Sequence, residues 1–157
     1  MTVVSKSARI AFLGLGKMGL PMANRLTAEG YQVVGFDPFE AARTAFASRG
    51  GSIVQTAAEA AQGANVLITM LPDGKSVENA LVGRDDLASR LASGAIVIDM
   101  SSSAPLGTRD LATLLEKRGV TLLDAPVSGG VKRAIDGSLA IMAAAARRSP
   151  LCVHCSK

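Results

Sequence analysis

A glycine pattern set between an apolar run and an amphipathic run constrains this chain more than any other feature. Ile10-Ala11-Phe12-Leu13 leads into Gly14-Leu15-Gly16-Lys17-Met18-Gly19, and a helix-period segment over 18–28 follows. In a strand, turn and helix of that order, each glycine has its own task. Gly14 permits the tight turn. Gly16 lets backbone N–H groups approach a diphosphate with no Cβ in the way. Gly19 lets the helix pack closely on the strand. The helix N-terminus then turns unpaired amides and the positive end of its dipole towards the phosphates. Leu15, Lys17 and Met18 complete the turn that is expected to hold a dinucleotide's pyrophosphate.

The remaining sequence repeats the same alternation. Short apolar runs fall at 32–36, 52–54, 66–70, 95–99 and 120–123. They are near-continuous rather than alternating, as expected for parallel strands buried on both faces. Helix-period segments fall between them at 39–48, 56–62, 77–81, 87–91 and 105–118. Gly50-Gly51 and Gly119 supply stop signals, and Thr56 with Glu59 makes a capping pattern. Repeated βα units with short connections predict an α/β fold, a doubly wound and mainly parallel sheet of Rossmann type. Right-handed crossovers put helices on both faces. The expected organisation is a tail over 1–8, one dinucleotide-binding domain over 9–142, and a C-terminal tail over 143–157. That tail opens with four alanines, contains Pro150 and offers no evident place in the sheet.

Composition narrows the function classes. Apolar residues make up 48% and charged residues 19%, which fits a packed globular domain rather than a disordered one. The net charge is +4, and Arg147, Arg148 and Lys157 carry three of those charges, leaving +1 without them. No basic stripe with interleaved aromatics is present, so a nucleic-acid partner is not expected. No run approaches the ~20 apolar residues of a membrane span. Residues 1–8 lack the apolar run of a secretory signal. Cys152 and Cys155 are the only cysteines. With none in the body, a reducing, cytoplasmic setting is expected. Cys152-Val153-His154-Cys155 offers three ligand groups, too few to close a tetrahedral zinc site, so no metal is expected.

Ligands of open α/β sheets sit outside the carboxyl ends of the strands. The second run ends at Asp37, about 20 residues beyond the glycines, where a carboxylate can bind the adenosine ribose hydroxyls and repel a 2′-phosphate. NAD is favoured over NADP on that ground. The alternative is a solvated Asp in a turn before Pro38. Arg43 lies too deep in the next helix to be assigned as a phosphate ligand. Three more strand-end loops follow: Met70-Leu71-Pro72-Asp73-Gly74, Asp99-Met100-Ser101-Ser102-Ser103-Ala104-Pro105, and Asp124-Ala125-Pro126-Val127-Ser128-Gly129-Gly130. Ser103 could be only a helix N-cap, and Ser128-Gly129-Gly130 only a turn. Spacing alone leaves both readings open.

Taken together in this order, these motifs resemble the β-hydroxyacid dehydrogenase family, especially its 3-hydroxyisobutyrate dehydrogenases and tartronate semialdehyde reductases. Residues 12–23 resemble the family's opening signature. Residues 124–130, with Ala134, Gly137 and Leu139, resemble its substrate signature. The resemblance covers about residues 9–142 and implies hydride transfer between NAD and a small hydroxy acid. It implies that Leu71, Pro72 and Ser76 line the nicotinamide half of the cofactor site, with Ser102 near the nicotinamide ribose. Ser128, Gly129 and Gly130 would hold the substrate carboxylate through a hydroxyl and backbone amides.

The family's lysine motif, Gly-x-x-Gly-x-Gly-x-x-x-Lys-x-x-Asn, does not occur in these residues, and Lys132 does not fit it. No catalytic residue is therefore assigned, and Lys132 is read as a solvated surface lysine. The family's all-helical second domain is also expected to be absent. The resemblance stops after Met142, which suggests a truncated or frame-shifted product: either a dehydrogenase by ancestry or a cofactor-binding fragment without turnover. The face that would meet a second domain is expected to expose apolar surface. The sequence leaves the oligomeric state open.

Overall fold

The computed structural model describes residues 4–145. Six strands run parallel in one sheet: β1 (Arg9–Leu13), β2 (Gln32–Phe36), β3 (Ser52–Ile53), β4 (Val66–Thr69), β5 (Ile96–Asp99) and β6 (Thr121–Asp124). Their order is β3-β2-β1-β4-β5-β6. The order reverses at β1, which lies between β2 and β4. That makes the gap above β1 and β4 the switch point, where crossovers leave in opposite directions and open a crevice.

The helices are α1 (Gly19–Ala28), α2 (Glu40–Ala47), α3 (Ala57–Ala61), α4 (Gly74–Leu81) and α5 (Pro105–Glu116), with a short 3₁₀ turn at Leu87–Arg90 between α4 and β5. Alternation along β1 divides the core. Ala11 and Leu13 face one buried cluster, which includes Ala60, Val77, Leu81, Leu111 and Leu115. Ile10 and Phe12 face the other, with Ala23, Val33, Phe46 and Ile68. Each face is sealed by its own helices, as a doubly wound sheet requires. Phe12 and Phe46 are fully buried; truncating a core Phe to Ala costs about 3–5 kcal/mol.

Most elements lie within a residue or two of the expected bounds, and the differences have local causes. The fourth helix starts at Gly74 rather than 77, because the Asp73 carboxylate caps it by accepting from Ser76 N at 2.7 Å. The expected Thr56 cap forms, its hydroxyl accepting from Glu59 N at 3.1 Å. Ser103 does not cap α5: the cap position is Ala104, with no side-chain bond. The segment after β6 is more structured than a loop. β7 (Val127–Ser128) pairs with β8 (Ala140–Ile141) around α6 (Gly130–Asp136). The start of the expected tail also finds a place in the sheet, because β9 (Ala144–Ala145) adds an antiparallel edge to β6. Two residues carry too little periodicity to show such a pairing. Cys152, His154, Cys155 and the basic pair Arg147-Arg148 lie outside the described residues.

Candidate functional site

β1 ends in two ties that place the glycine turn over the switch point. Gly14 N donates to Phe36 O at 3.0 Å, and Met70 N donates to Leu13 O at 2.9 Å. Gly14 has φ +94°, and a Cβ there would lie 2.2 Å from Met70 O. A Cβ on Gly19 would lie 1.8 Å from Gly14 O and 3.2 Å from the Phe12 ring, so α1 sits tight on the turn and strand. Gly16 differs: it is exposed, and a Cβ would meet nothing within 4 Å. Protein packing therefore accounts for the absent side chain at Gly14 and Gly19, but not at Gly16. The open cradle over Gly16 fits a diphosphate seated against the helix end. Leu15 is buried beneath the turn, Lys17 is exposed and Met18 is half-buried.

Asp37 is 7% exposed, and both its oxygens are engaged. Oδ2 accepts from Leu15 N at 2.8 Å, and Oδ1 accepts from Phe39 N at 2.9 Å. The carboxylate thus pins the glycine turn to the end of β2, so this is not the solvated turn residue of the alternative reading. Arg43 is also closer than its spacing suggested. From α2 its side chain folds back, and Nη1 donates to the carbonyls of Asp37 at 2.7 Å and Pro38 at 3.2 Å.

A cleft of about 520 Å³ joins Gly14, Leu71, Pro72 and Ser76 with Phe36, Pro38, Gln55 and Arg84. The resemblance assigned Leu71, Pro72 and Ser76 to the nicotinamide half, and the same cleft runs on to the end of β2. Sequence reasoning missed Phe36, Gln55 and Arg84. The first two lie at or just beyond strand ends, which a stricter use of the strand-end rule would have marked, but Arg84 carries no such signal. The Ser76 hydroxyl donates to Asp73 at 2.8 Å. The Ser76 amide, and then this hydroxyl, hold the Asp73 carboxyl below its ordinary range.

Ser102 lies in a second cleft of about 540 Å³ between α4 and α5, with Asp73, Gly74, Asp99 and Thr108. Beneath it runs a buried polar network. The Asp99 Oδ1 accepts from Thr69 Oγ1 at 2.8 Å and Ser101 N at 3.0 Å, and its Oδ2 accepts from Ser103 Oγ at 2.7 Å. Ser101 Oγ in turn accepts from Leu71 N at 2.9 Å. One carboxylate thus fixes the two strand-end loops relative to each other. Asp124 stands opposite Asp99 in the β5–β6 register. Burial, and then the Asp99 charge, pushes its carboxyl above the ordinary value.

Ser128, Gly129 and Gly130 are exposed where β7 passes into α6, and both glycines have positive φ, +133° and +69°. They do not line the Leu71–Pro72 cleft. Lys132 is exposed on α6. Ile135, Ile141 and Met142 are 61%, 51% and 59% exposed. Among the described residues, no helix is long and apolar enough to cross a membrane.

A parallel sheet whose order reverses at β1, with the glycine turn over that reversal and a carboxylate closing it from β2, defines a Rossmann-type dinucleotide-binding domain. Residues 9–151 match the family described as the NAD binding domain of 6-phosphogluconate dehydrogenase, and the chain belongs to that family. It is 43% identical over 133 residues to the 3-hydroxyisobutyrate dehydrogenase of Pseudomonas aeruginosa, covering 85% of this chain and 45% of that protein. The NAD-dependent L-serine dehydrogenase of the same organism is 40% identical over 134 residues, with the same two shares. Among solved structures, Mycobacterium tuberculosis 3-hydroxyisobutyrate dehydrogenase with L-serine superposes with a TM-score of 0.82 at 40% identity, covering 87% of this chain and 46% of that one. The chain spans under half the length of these relatives. The family and its dehydrogenase relatives support NAD as the cofactor and do not exclude NADP.

Proposed function

We propose that residues 9–142 are the cofactor half of a β-hydroxyacid dehydrogenase of the 3-hydroxyisobutyrate type. The whole protein would transfer a hydride between NAD and a small hydroxy acid; 3-hydroxyisobutyrate and L-serine, named for the relatives, are the first candidates. The observation that carries the reading is the glycine turn, closed by protein at Gly14 and Gly19 and open at Gly16. Its amides, from Gly14 to Gly19, would hold the pyrophosphate, and the Asp37 carboxylate would brace the turn from beneath the adenosine ribose. Leu71, Pro72 and Ser76 would line the cofactor cleft, with Ser102 at the nicotinamide ribose. Ser128, Gly129 and Gly130 would bind the substrate carboxylate. NAD, when bound, supplies the hydride acceptor; the chain's own residues bind, orient and exclude water. A cytoplasmic setting belongs to the same reading and rests on a body free of cysteine up to Cys152.

The lysine motif that would handle the hydroxyl proton is not among these residues, and such a group must come within hydrogen-bond reach of its substrate. The 157-residue chain by itself is therefore expected to bind without turnover. Fluorescence titration with NADH, paired with an assay on 3-hydroxyisobutyrate and L-serine, tests this. Saturable binding weaker than about micromolar, with no turnover, is the expected result. No binding refutes the cofactor reading, and turnover by the pure chain refutes the need for the lysine.

A further inference from the structure

We infer that Arg43 is a specificity residue for the adenosine end of the cofactor, its guanidinium receiving a 2′-phosphate so that this domain takes NADPH as well as NADH. The inference rests on the dinucleotide reading above and extends it by one residue. A carboxylate at the end of β2 excludes a 2′-phosphate by facing it. The Asp37 carboxylate is turned inward instead, with one oxygen on Leu15 N and the other on Phe39 N. These two amides draw its charge beneath the turn.

Arg43 stands on the outer side of the same strand end. Nη1 spends its two hydrogens on the carbonyls of Asp37 and Pro38. Nη2 lies 3.5 Å from Gln55 Oε1, a long contact that an anion can displace. The guanidinium carbon lies 5.9 Å from the centre of the Phe36 ring. The end of β2, α2 and the segment after β3 thus hold the group beside the cleft that Phe36, Pro38 and Gln55 line. Among the described residues, no acceptor faces Nε and no carboxylate pairs with Arg43. Nε–H and an Nη2–H therefore remain together on one edge of the plane, the fork that binds a phosphate through two parallel hydrogen bonds. The side chain is half-buried and already ordered, so an incoming phosphate meets a pre-positioned cation.

The test is a titration of the full chain with NADH and NADPH, with ADP and 2′,5′-ADP as competitors that report on the adenosine end alone. NADPH is expected to bind within about tenfold of NADH, with the steeper salt dependence of the two. Arg43→Ala should weaken NADPH and 2′,5′-ADP by about tenfold or more while changing NADH by less than about threefold, so that NADH reports on correct folding. Arg43→Gln keeps a donor for the strand-end carbonyls but loses the charge, and should show the same split if Arg43→Ala does not fold. Equal weakening of both dinucleotides, or of neither, overturns the inference. So does an unsubstituted chain that binds NADH but not NADPH. If it binds neither, the dinucleotide reading itself fails and takes this inference with it.

Discussion

Gly16→Ala adds one methyl group to the glycine turn at a place where the protein leaves room for it. Apart from its chain neighbours, no residue comes within 4 Å of the added Cβ, and Gly16 does not have a positive φ. Folding should therefore tolerate the change, with stability unchanged or raised by up to about 1 kcal/mol through the stiffer unfolded chain. Cofactor binding should respond in the opposite direction. The methyl group would stand between the turn's amides and a diphosphate, and losing one or two hydrogen bonds to a charged group costs about 1.5–3 kcal/mol each. At 1.4 kcal/mol per decade, NADH affinity should fall by at least about tenfold. Gly19→Ala is the contrast. Its Cβ would lie 1.8 Å from a backbone oxygen where ordinary contact begins at 3.4 Å, so backbone rather than a side chain must move. Overpacking of this kind costs about 1–3 kcal/mol or more. Urea unfolding followed by circular dichroism, and NADH emission in a chain with no tryptophan, give the two readouts. The reasoning is refuted if Gly16→Ala binds NADH within about twofold of the unsubstituted chain, or if Gly19→Ala is equally stable.

Two other predictions follow from the Asp99 network. Thr69→Val keeps the shape but removes one of three donors to a carboxylate that is 1% exposed, and should cost about 1.5–3 kcal/mol in urea unfolding. A loss below about 0.5 kcal/mol would mean that the other donors or water fill the gap. Asp124 gives a pH dependence. Its folded carboxyl is raised above the ordinary value of 3.8, so the folded state binds the proton more tightly than the unfolded chain. Its contribution is fully present below that value and is lost as pH rises through the folded titration. Asp124→Asn should remove that slope on the alkaline side of the ordinary value, measured as the urea midpoint against pH. Parallel profiles for the two proteins would refute it.

The residues that could be assigned from the sequence were those whose partners lie close along the chain. β1, the turn and α1 are encoded within residues 9–28, and their order alone defines the motif. The Thr56–Glu59 cap spans three residues and formed as expected. Arg43 shows what such reading leaves out. It is six residues beyond Asp37, and counting along the helix gave it no role at the strand end. A long, flexible side chain reached back to the Asp37 carbonyl instead. Spacing left Ser103 open between a cap and a site residue, and its hydroxyl donates to Asp99.

The sequence by itself determined that this is an α/β chain with a glycine turn built for a dinucleotide, because apolar period and turn chemistry are local properties. Tertiary structure alone decided the strand order that reverses at β1, the edge pairing of Ala144 and Ala145, and the use of each strand-end side chain. Those outcomes depend on contacts between residues far apart in sequence, such as Leu15 with Asp37 and Thr69 with Asp99, 22 and 30 positions away. Local periodicity says nothing about such pairs. They form only when parallel strands bring their carboxyl ends side by side, where a buried carboxylate has to take whatever donors the neighbouring loops supply.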